Sequence, residues 1–92
     1  MGREKVLFKS EEKKSSVEIV SILRSIADRI EQGSMTLRQG DQEIVLDFPR
    51  QMTLELKVED EQKKRKGTKR QLEIELEWYP DAGDSPAGVT IA

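Results

Sequence analysis

Residues 71–78 read Q-L-E-I-E-L-E-W, so that apolar and acidic or polar side chains alternate at every position. A period of two predicts a β-strand with one apolar face and one solvated face. The apolar face carries Leu72, Ile74, Leu76 and Trp78. The solvated face carries Glu73, Glu75 and Glu77. Because a shift by one residue would bury three carboxylates, the pattern strongly constrains the register of this strand.

The composition limits the chemistry that the chain can perform. Its 92 residues include no cysteine and no histidine, which removes disulfides, thiolate nucleophiles and the commonest general base and metal ligand. The 16 basic and 18 acidic residues nearly cancel, so overall charge predicts no partner. No apolar run approaches the length of a membrane span, and the N-terminus does not resemble a signal peptide. We expect a soluble, cytoplasmic, non-catalytic domain without a cofactor.

A helix is predicted after Ser15, because S-S-V-E forms a capping box in which Ser15 and Glu18 exchange hydrogen bonds. Apolar residues then recur at three- and four-residue spacing along one stripe, and Gly33 supplies the stop. The members of the stripe are Ile19, Val20, Leu23, Ile26, Ala27 and Ile30.

Further strands are predicted on both sides of the helix. Residues 5–9 alternate and favour a short N-terminal strand, whose position in the sheet the sequence leaves open. Residues 35–39, 43–48 and 51–59 also alternate, and Pro49 ends the second of these runs. Together with residues 72–78 they predict an antiparallel meander with one apolar face.

The registers follow from requiring apolar residues to face one another. A type II′ turn at Gly40-Asp41 pairs Leu37 with Ile44 and Met35 with Leu46. A turn at Pro49 pairs Phe48 with Met52, Leu46 with Leu54 and Ile44 with Leu56. A loop centred on Arg65 pairs Val58 with Leu72, Leu56 with Ile74, Leu54 with Leu76 and Met52 with Trp78.

The predicted fold is therefore α+β: a short N-terminal strand, one amphipathic helix and a four-stranded antiparallel β-meander in two layers. The helix covers the apolar face of the sheet. We expect residues 4–79 to form one domain and residues 80–92, which are rich in proline and glycine, to form a disordered tail. The predicted core includes Trp78, Leu76, Ile74, Leu23 and Ile26.

Several segments together resemble the amphi-Trp domain family. They are V-L-F-K-S-E-E near the N-terminus, the capped helix V-E-I-V-S-I-L-R-S-I-A-D-R-I-E-Q-G, Pro49 and the closing L-E-I-E-L-E-W. The family comprises small prokaryotic domains named for an amphipathic strand that ends in tryptophan. The resemblance covers residues 4–78 and implies a fold, but no catalytic or binding residues.

Two charged clusters are candidate sites. Six cations lie between residues 63 and 70, where they could bind a polyanion or could keep a hairpin tip soluble. They are Lys63, Lys64, Arg65, Lys66, Lys69 and Arg70. No aromatic residue is interleaved with them, so a base-stacking platform is missing, and we favour the solvated loop over a nucleic-acid site.

An acidic cluster is predicted on the outer face of the sheet, at Glu55, Glu73, Glu75 and Glu77. It could serve as an interaction face, bind a hard cation or share a proton, although a flat surface offers no enclosure for metal or catalytic chemistry. We expect no metal site. The sequence favours a protein-interaction or structural module whose partner is another protein or a second copy, paired through a sheet edge. The alternative function is polyanion binding through residues 63–70.

Overall fold

The computed structural model describes residues 2–81 of the chain. The chain divides into two compact units, Met1–Phe48 and Pro49–Ala92. The first unit contains a helix and two strands, and the second contains two longer strands. The elements are α1 (Ser16–Gln32), β1 (Ser34–Gln39), β2 (Gln42–Asp47), β3 (Thr53–Lys63) and β4 (Gly67–Glu77). This content confirms the α+β class.

Helix α1 begins and ends where its sequence signals predicted. The Glu18 N–H donates to the Ser15 hydroxyl at 3.2 Å, and the Ser15 N–H donates to the Glu18 carboxylate at 3.0 Å, which completes the capping box. Gly33 ends the helix with φ +100°, and its N–H donates to the carbonyls of Arg29 and Ile30. Within this unit α1 contacts β1, the strand that follows it directly.

Strands β1 and β2 form an antiparallel hairpin in the predicted register. Leu37 lies opposite Ile44, and Met35 lies opposite Leu46. Gly40 has φ +58°, the positive value that a turn with glycine at its first central position requires.

Strands β3 and β4 form a second antiparallel hairpin of eleven residues on each side. Its turn, residues 64–66, is centred on Arg65, and three of the four predicted apolar pairs are present. These pairs are Leu54 with Leu76, Leu56 with Ile74, and Val58 with Leu72. The predicted partners Met52 and Trp78 lie one residue beyond the paired strands.

The predicted single meander is wrong in one respect: the four strands form two two-stranded sheets, β1–β2 and β3–β4. The registers predicted for the Pro49 turn are not formed. Five residues separate β2 from β3, whereas two residues join β1 to β2. Pro49 also lacks the N–H that a ladder needs, so this connection does not impose a tight hairpin.

The predicted N-terminal strand is also wrong, because residues 5–9 form no strand in the described part of the chain. Val6 and Leu7 are 75% and 60% exposed. Alternation over five residues gives a strand-like pattern, but a strand needs a hydrogen-bonded neighbour, and within residues 2–81 this segment has none. The predicted tail, residues 80–92, lies outside the described residues except for Pro80 and Asp81, which are in a turn.

The predicted core residues are less buried than the pattern suggested. Trp78, Leu76 and Ile26 are half-buried, whereas Ile74 and Leu23 are 51% and 46% exposed. Among residues 2–81 no side chain is fully buried. Periodicity identified which side chains share a face, but it carries no information about what covers that face.

Candidate interaction surface

The β3–β4 hairpin has an apolar face formed by three cross-strand pairs. Each strand sends alternate side chains to this face, and the antiparallel register sets them opposite one another. Leu76 is half-buried, and the other five are between 51% and 64% exposed. These five are Leu54, Leu56, Val58, Leu72 and Ile74. The result is a contiguous apolar stripe along about half of the hairpin, an arrangement typical of an interaction surface.

The opposite face of the hairpin is charged, and Lys57 is the cation at its centre. The Lys57 Nζ lies 3.2 Å from a Glu73 carboxylate oxygen across the strands and 3.5 Å from a Glu59 oxygen along its own strand. The hydrogen bond to Glu73, followed by the charge of Glu59, raises the pKa of Lys57. This face therefore holds a lysine shared by two carboxylates, and the predicted facing of Lys57 and Glu73 is confirmed.

Next to this pair the face is acidic, because Glu55 lies directly opposite Glu75. The charge of Glu55 is the main cause that raises the pKa of the Glu75 carboxyl. Partial desolvation and the charges of Glu77 and Glu73 add to the effect. The four predicted acidic residues thus lie together on one face. The end of the hairpin distant from the turn carries more negative charge than its own cations neutralise.

The six cations of the predicted basic loop are not equivalent. Lys63 is the last residue of β3 and lies 3.3 Å from Glu61. Arg70 donates from its Nε and Nη2 atoms to the two oxygens of Asp60, at 2.8 and 3.0 Å. The pKa of Asp60 is lowered and that of Arg70 is raised by this fork.

Four of the cations remain without an ion pair among the described residues: Lys64, Arg65, Lys66 and Lys69. The first three form the turn, and Lys69 lies on β4 opposite Glu61. Positive charge is therefore concentrated at the turn, and negative charge at the other end of the same hairpin.

The sequence analysis does not predict the Asp60–Arg70 pair, because Arg70 adjoins the loop cations in the sequence and Asp60 belongs to neither charged cluster. A signal was available. Centring the loop on Arg65 places residues 60 and 70 directly opposite each other. Both then lie on the apolar face, where opposite charges across a ladder attract.

Two further properties bear on possible sites within residues 2–81. No helix there combines the length and the apolar character needed to cross a membrane. No three or more acidic side chains in this range come together in a way that could hold a metal ion.

Comparison with known proteins gives one match. The model of the Amphi-Trp domain family matches residues 1–92, the whole chain, and so extends beyond the segments that carry the resemblance in the sequence. Neither the curated proteins nor the solved structures that were compared contain a match to the chain.

Proposed function

The chain belongs to the Amphi-Trp domain family, and we propose that it is a non-catalytic protein-interaction module that associates with itself through an edge of the β3–β4 hairpin. The observation that carries this proposal is the open apolar face of that hairpin. Five of its six apolar side chains are more than half exposed. A two-stranded hairpin is marginally stable in water, and three or more strands with a shared apolar face are needed for independent stability. Addition of strands from a second copy would supply them.

The edges of the hairpin suit strand addition. Strands β3 and β4 contain no proline, and each runs for eleven residues. A long, regular edge presents unpaired N–H and C=O groups that can pair with another chain. Among assemblies of identical chains, a two-fold pairing of like edges is the simplest closed one.

Sedimentation velocity over micromolar to submillimolar concentrations tests this function. We expect the average mass of the unmodified chain to rise toward that of a dimer as concentration rises. Leu56→Lys should abolish the increase, because an inward-pointing lysine blocks strand addition at an edge. The matched control is Val45→Lys, which adds the same charge to a strand residue of comparable exposure (59%) in the first unit. A constant monomer mass of the unmodified chain would contradict the proposal.

A second candidate function is polyanion binding by the turn of the same hairpin. It is favoured by the finding that Lys64, Arg65, Lys66 and Lys69 form no ion pair among the described residues. Such cations can displace the counterions of a nucleic acid without reading its sequence. Of the six candidate cations, Lys63 and Arg70 form ion pairs within the hairpin, which leaves four unpaired in the part of the chain that the structure describes.

Binding of single-stranded DNA at several salt concentrations tests the second candidate. Replacing Lys64, Arg65 and Lys66 by glutamine should weaken binding and reduce the slope of log affinity against log salt by roughly two. A control with the same change of charge replaces three exposed lysines distant in sequence, Lys5, Lys9 and Lys13, and should bind like the unmodified chain. Equal affinity of both triple variants, or no binding at low salt, would rule out this function.

A further inference from the structure

We propose that the associating edge is that of β3, which pairs antiparallel with β3 of a second copy about a two-fold axis at Leu56. This inference rests on the proposed self-association and adds the strand and the register. The starting point is the topology: within its own unit β3 is hydrogen-bonded to β4 alone, so inside that unit its other edge carries unpaired backbone groups. A symmetric pairing at that edge produces a four-stranded sheet, β4–β3–β3–β4.

The apolar face is continuous across this junction. An axis at Leu56 sets Leu56 beside Leu56 of the second copy, and Leu54 beside Val58 of the second copy. All three apolar side chains of β3 then have a second apolar cross-strand neighbour besides the one on β4, at the spacing of about 5 Å that stabilises sheets. The same side chains are between 58% and 63% exposed in the single chain. Pairing in this register therefore removes apolar surface from water on both copies.

The charged face is complementary in the same register. Glu55 lies opposite Lys57 of the second copy, and by symmetry Lys57 lies opposite Glu55 of the second copy. Within one chain Glu55 faces Glu75, a repulsive arrangement. Lys57 of the second copy therefore lies beside the Glu55–Glu75 pair, whose charge the single hairpin does not neutralise.

Other registers and the other edge are less favourable. Moving the axis by one residue along β3 sets either Glu55 opposite Glu55 or Lys57 opposite Lys57. On β4 an axis at Ile74 also aligns the apolar side chains, but it places Glu73 opposite Glu75 of the second copy, twice. Like charges directly opposite one another destabilise a ladder. Among these arrangements, only the β3 pairing at Leu56 sets apolar residues opposite apolar residues and also sets opposite charges against each other.

Charge reversal tests the register. Glu55→Lys creates two Lys–Lys contacts across the axis, and Lys57→Glu creates two Glu–Glu contacts. Each should raise the dimer dissociation constant at least about tenfold at low salt, whereas the double variant Glu55→Lys/Lys57→Glu restores both opposite pairs and should return it to near the original value. Sedimentation equilibrium measures the three constants against that of the unmodified chain.

Effects within a single chain would give a different pattern. Glu55→Lys makes an attractive pair with Glu75 inside the hairpin, whereas Lys57→Glu makes a repulsive pair with Glu73. If the two residues act only within one chain, the two single variants should change its stability in opposite directions. Urea denaturation of dilute protein measures this stability apart from dimer formation. Suppose that the unmodified chain dimerises, but that either single variant leaves the dissociation constant unchanged or the double variant does not restore it. This register is then wrong, and the proposed self-association stands. If the unmodified chain stays monomeric, both proposals fail.

Cross-linking gives a second, independent test. The chain contains no cysteine, so a single Leu56→Cys substitution reports one contact. Residues on a two-fold axis between antiparallel strands lie within reach of a disulfide. Oxidation should give a covalent dimer of Leu56→Cys and little of Ile74→Cys, which lies on β4. Preferential cross-linking of Ile74→Cys would assign association to the other edge and overturn the inference.

Discussion

Glu55 and Glu75 lie directly opposite each other across β3 and β4, and the charge of Glu55 raises the pKa of the Glu75 carboxyl above its ordinary value of 4.5. The strand pattern that orders the hairpin thus also imposes a repulsion. Lys57, in the next cross-strand pair on the same face, is already shared between Glu73 and Glu59.

Replacing Glu75 by glutamine should stabilise the chain at neutral pH. The raised pKa means that the folded state binds a proton more readily than the unfolded state, so the repulsion opposes folding above that pKa and disappears as the pH falls below 4.5. The increase in the free energy of unfolding caused by Glu75→Gln should therefore be greatest at about pH 7 and vanish at about pH 4. Urea denaturation at the two pH values measures it.

The control for this prediction is Glu4→Gln, at an exposed position remote in sequence from the carboxylate pair. It removes the same charge and should change stability little at either pH. A gain from Glu75→Gln that persists unchanged in acid would show that removal of the carboxylate charge is not its cause.

The Asp60–Arg70 pair should give the opposite pH dependence. Its hydrogen bonds lower the pKa of Asp60 below the ordinary value of 3.8, so its contribution is present above 3.8 and is lost as the pH falls through the lowered pKa. Asp60→Asn should destabilise the hairpin at neutral pH, and high salt should reduce the difference.

A double-mutant cycle with Arg70→Gln isolates this interaction. Because the pair is bidentate, we expect a favourable coupling between Asp60 and Arg70. The double variant should then lose less stability than the sum of the losses in the two single variants. Strictly additive changes in the free energy of unfolding would mean that the fork is not formed in solution.

The capping box predicts that Ser15→Ala shortens α1. The substitution removes the hydroxyl that accepts from the Glu18 N–H and should cost about 1 kcal/mol, measured as the free energy of unfolding by far-ultraviolet circular dichroism. Ser15→Asp keeps an acceptor at the cap and should recover most of the loss. Equal loss in both variants would show that the hydroxyl is not acting as the cap.

How far the sequence predicted the structure depended on the length of the connections. Gly40-Asp41 and the turn at Arg65 each leave one register compatible with the apolar alternation, and both registers were predicted correctly. Around Pro49 the alternation of β2 and β3 was equally compatible with a hairpin. That pairing did not form, since matching faces do not establish a ladder.

For the candidate site, the sequence predicted which residues lie opposite one another on the charged face, but not the ion pair of Arg70 or the exposure of the apolar face. The predicted register placed Glu55 opposite Glu75 and Lys57 opposite Glu73, as they are in the structure. It did not reveal that Arg70 is held by Asp60, because grouping cations by their nearness in sequence overlooked their neighbours across the strands. Exposure of the apolar face could not be read from the pattern at all, since burial depends on what packs against a strand.

Gly33 links the end of α1 to the end of β2, and its replacement should test that connection. Its φ of +100° lies in the region that favours glycine, and its carbonyl accepts from the Phe48 N–H at 2.9 Å. A Cβ at Gly33 would meet no atom within 4 Å, so the cost of Gly33→Ala comes from the backbone alone and should be about 1 kcal/mol.

Two matched variants separate backbone strain from the general effect of adding a side chain. Gly33→Asn should lose less than Gly33→Ala, because asparagine tolerates positive φ better than alanine. Gly2→Ala adds the same methyl group where it also meets no atom and should be neutral. Urea denaturation ranks the three. If Gly33→Ala proved as harmless as Gly2→Ala, the left-handed end of α1 would not be maintained in solution, and the hydrogen bond from Phe48 would lose its fixed acceptor.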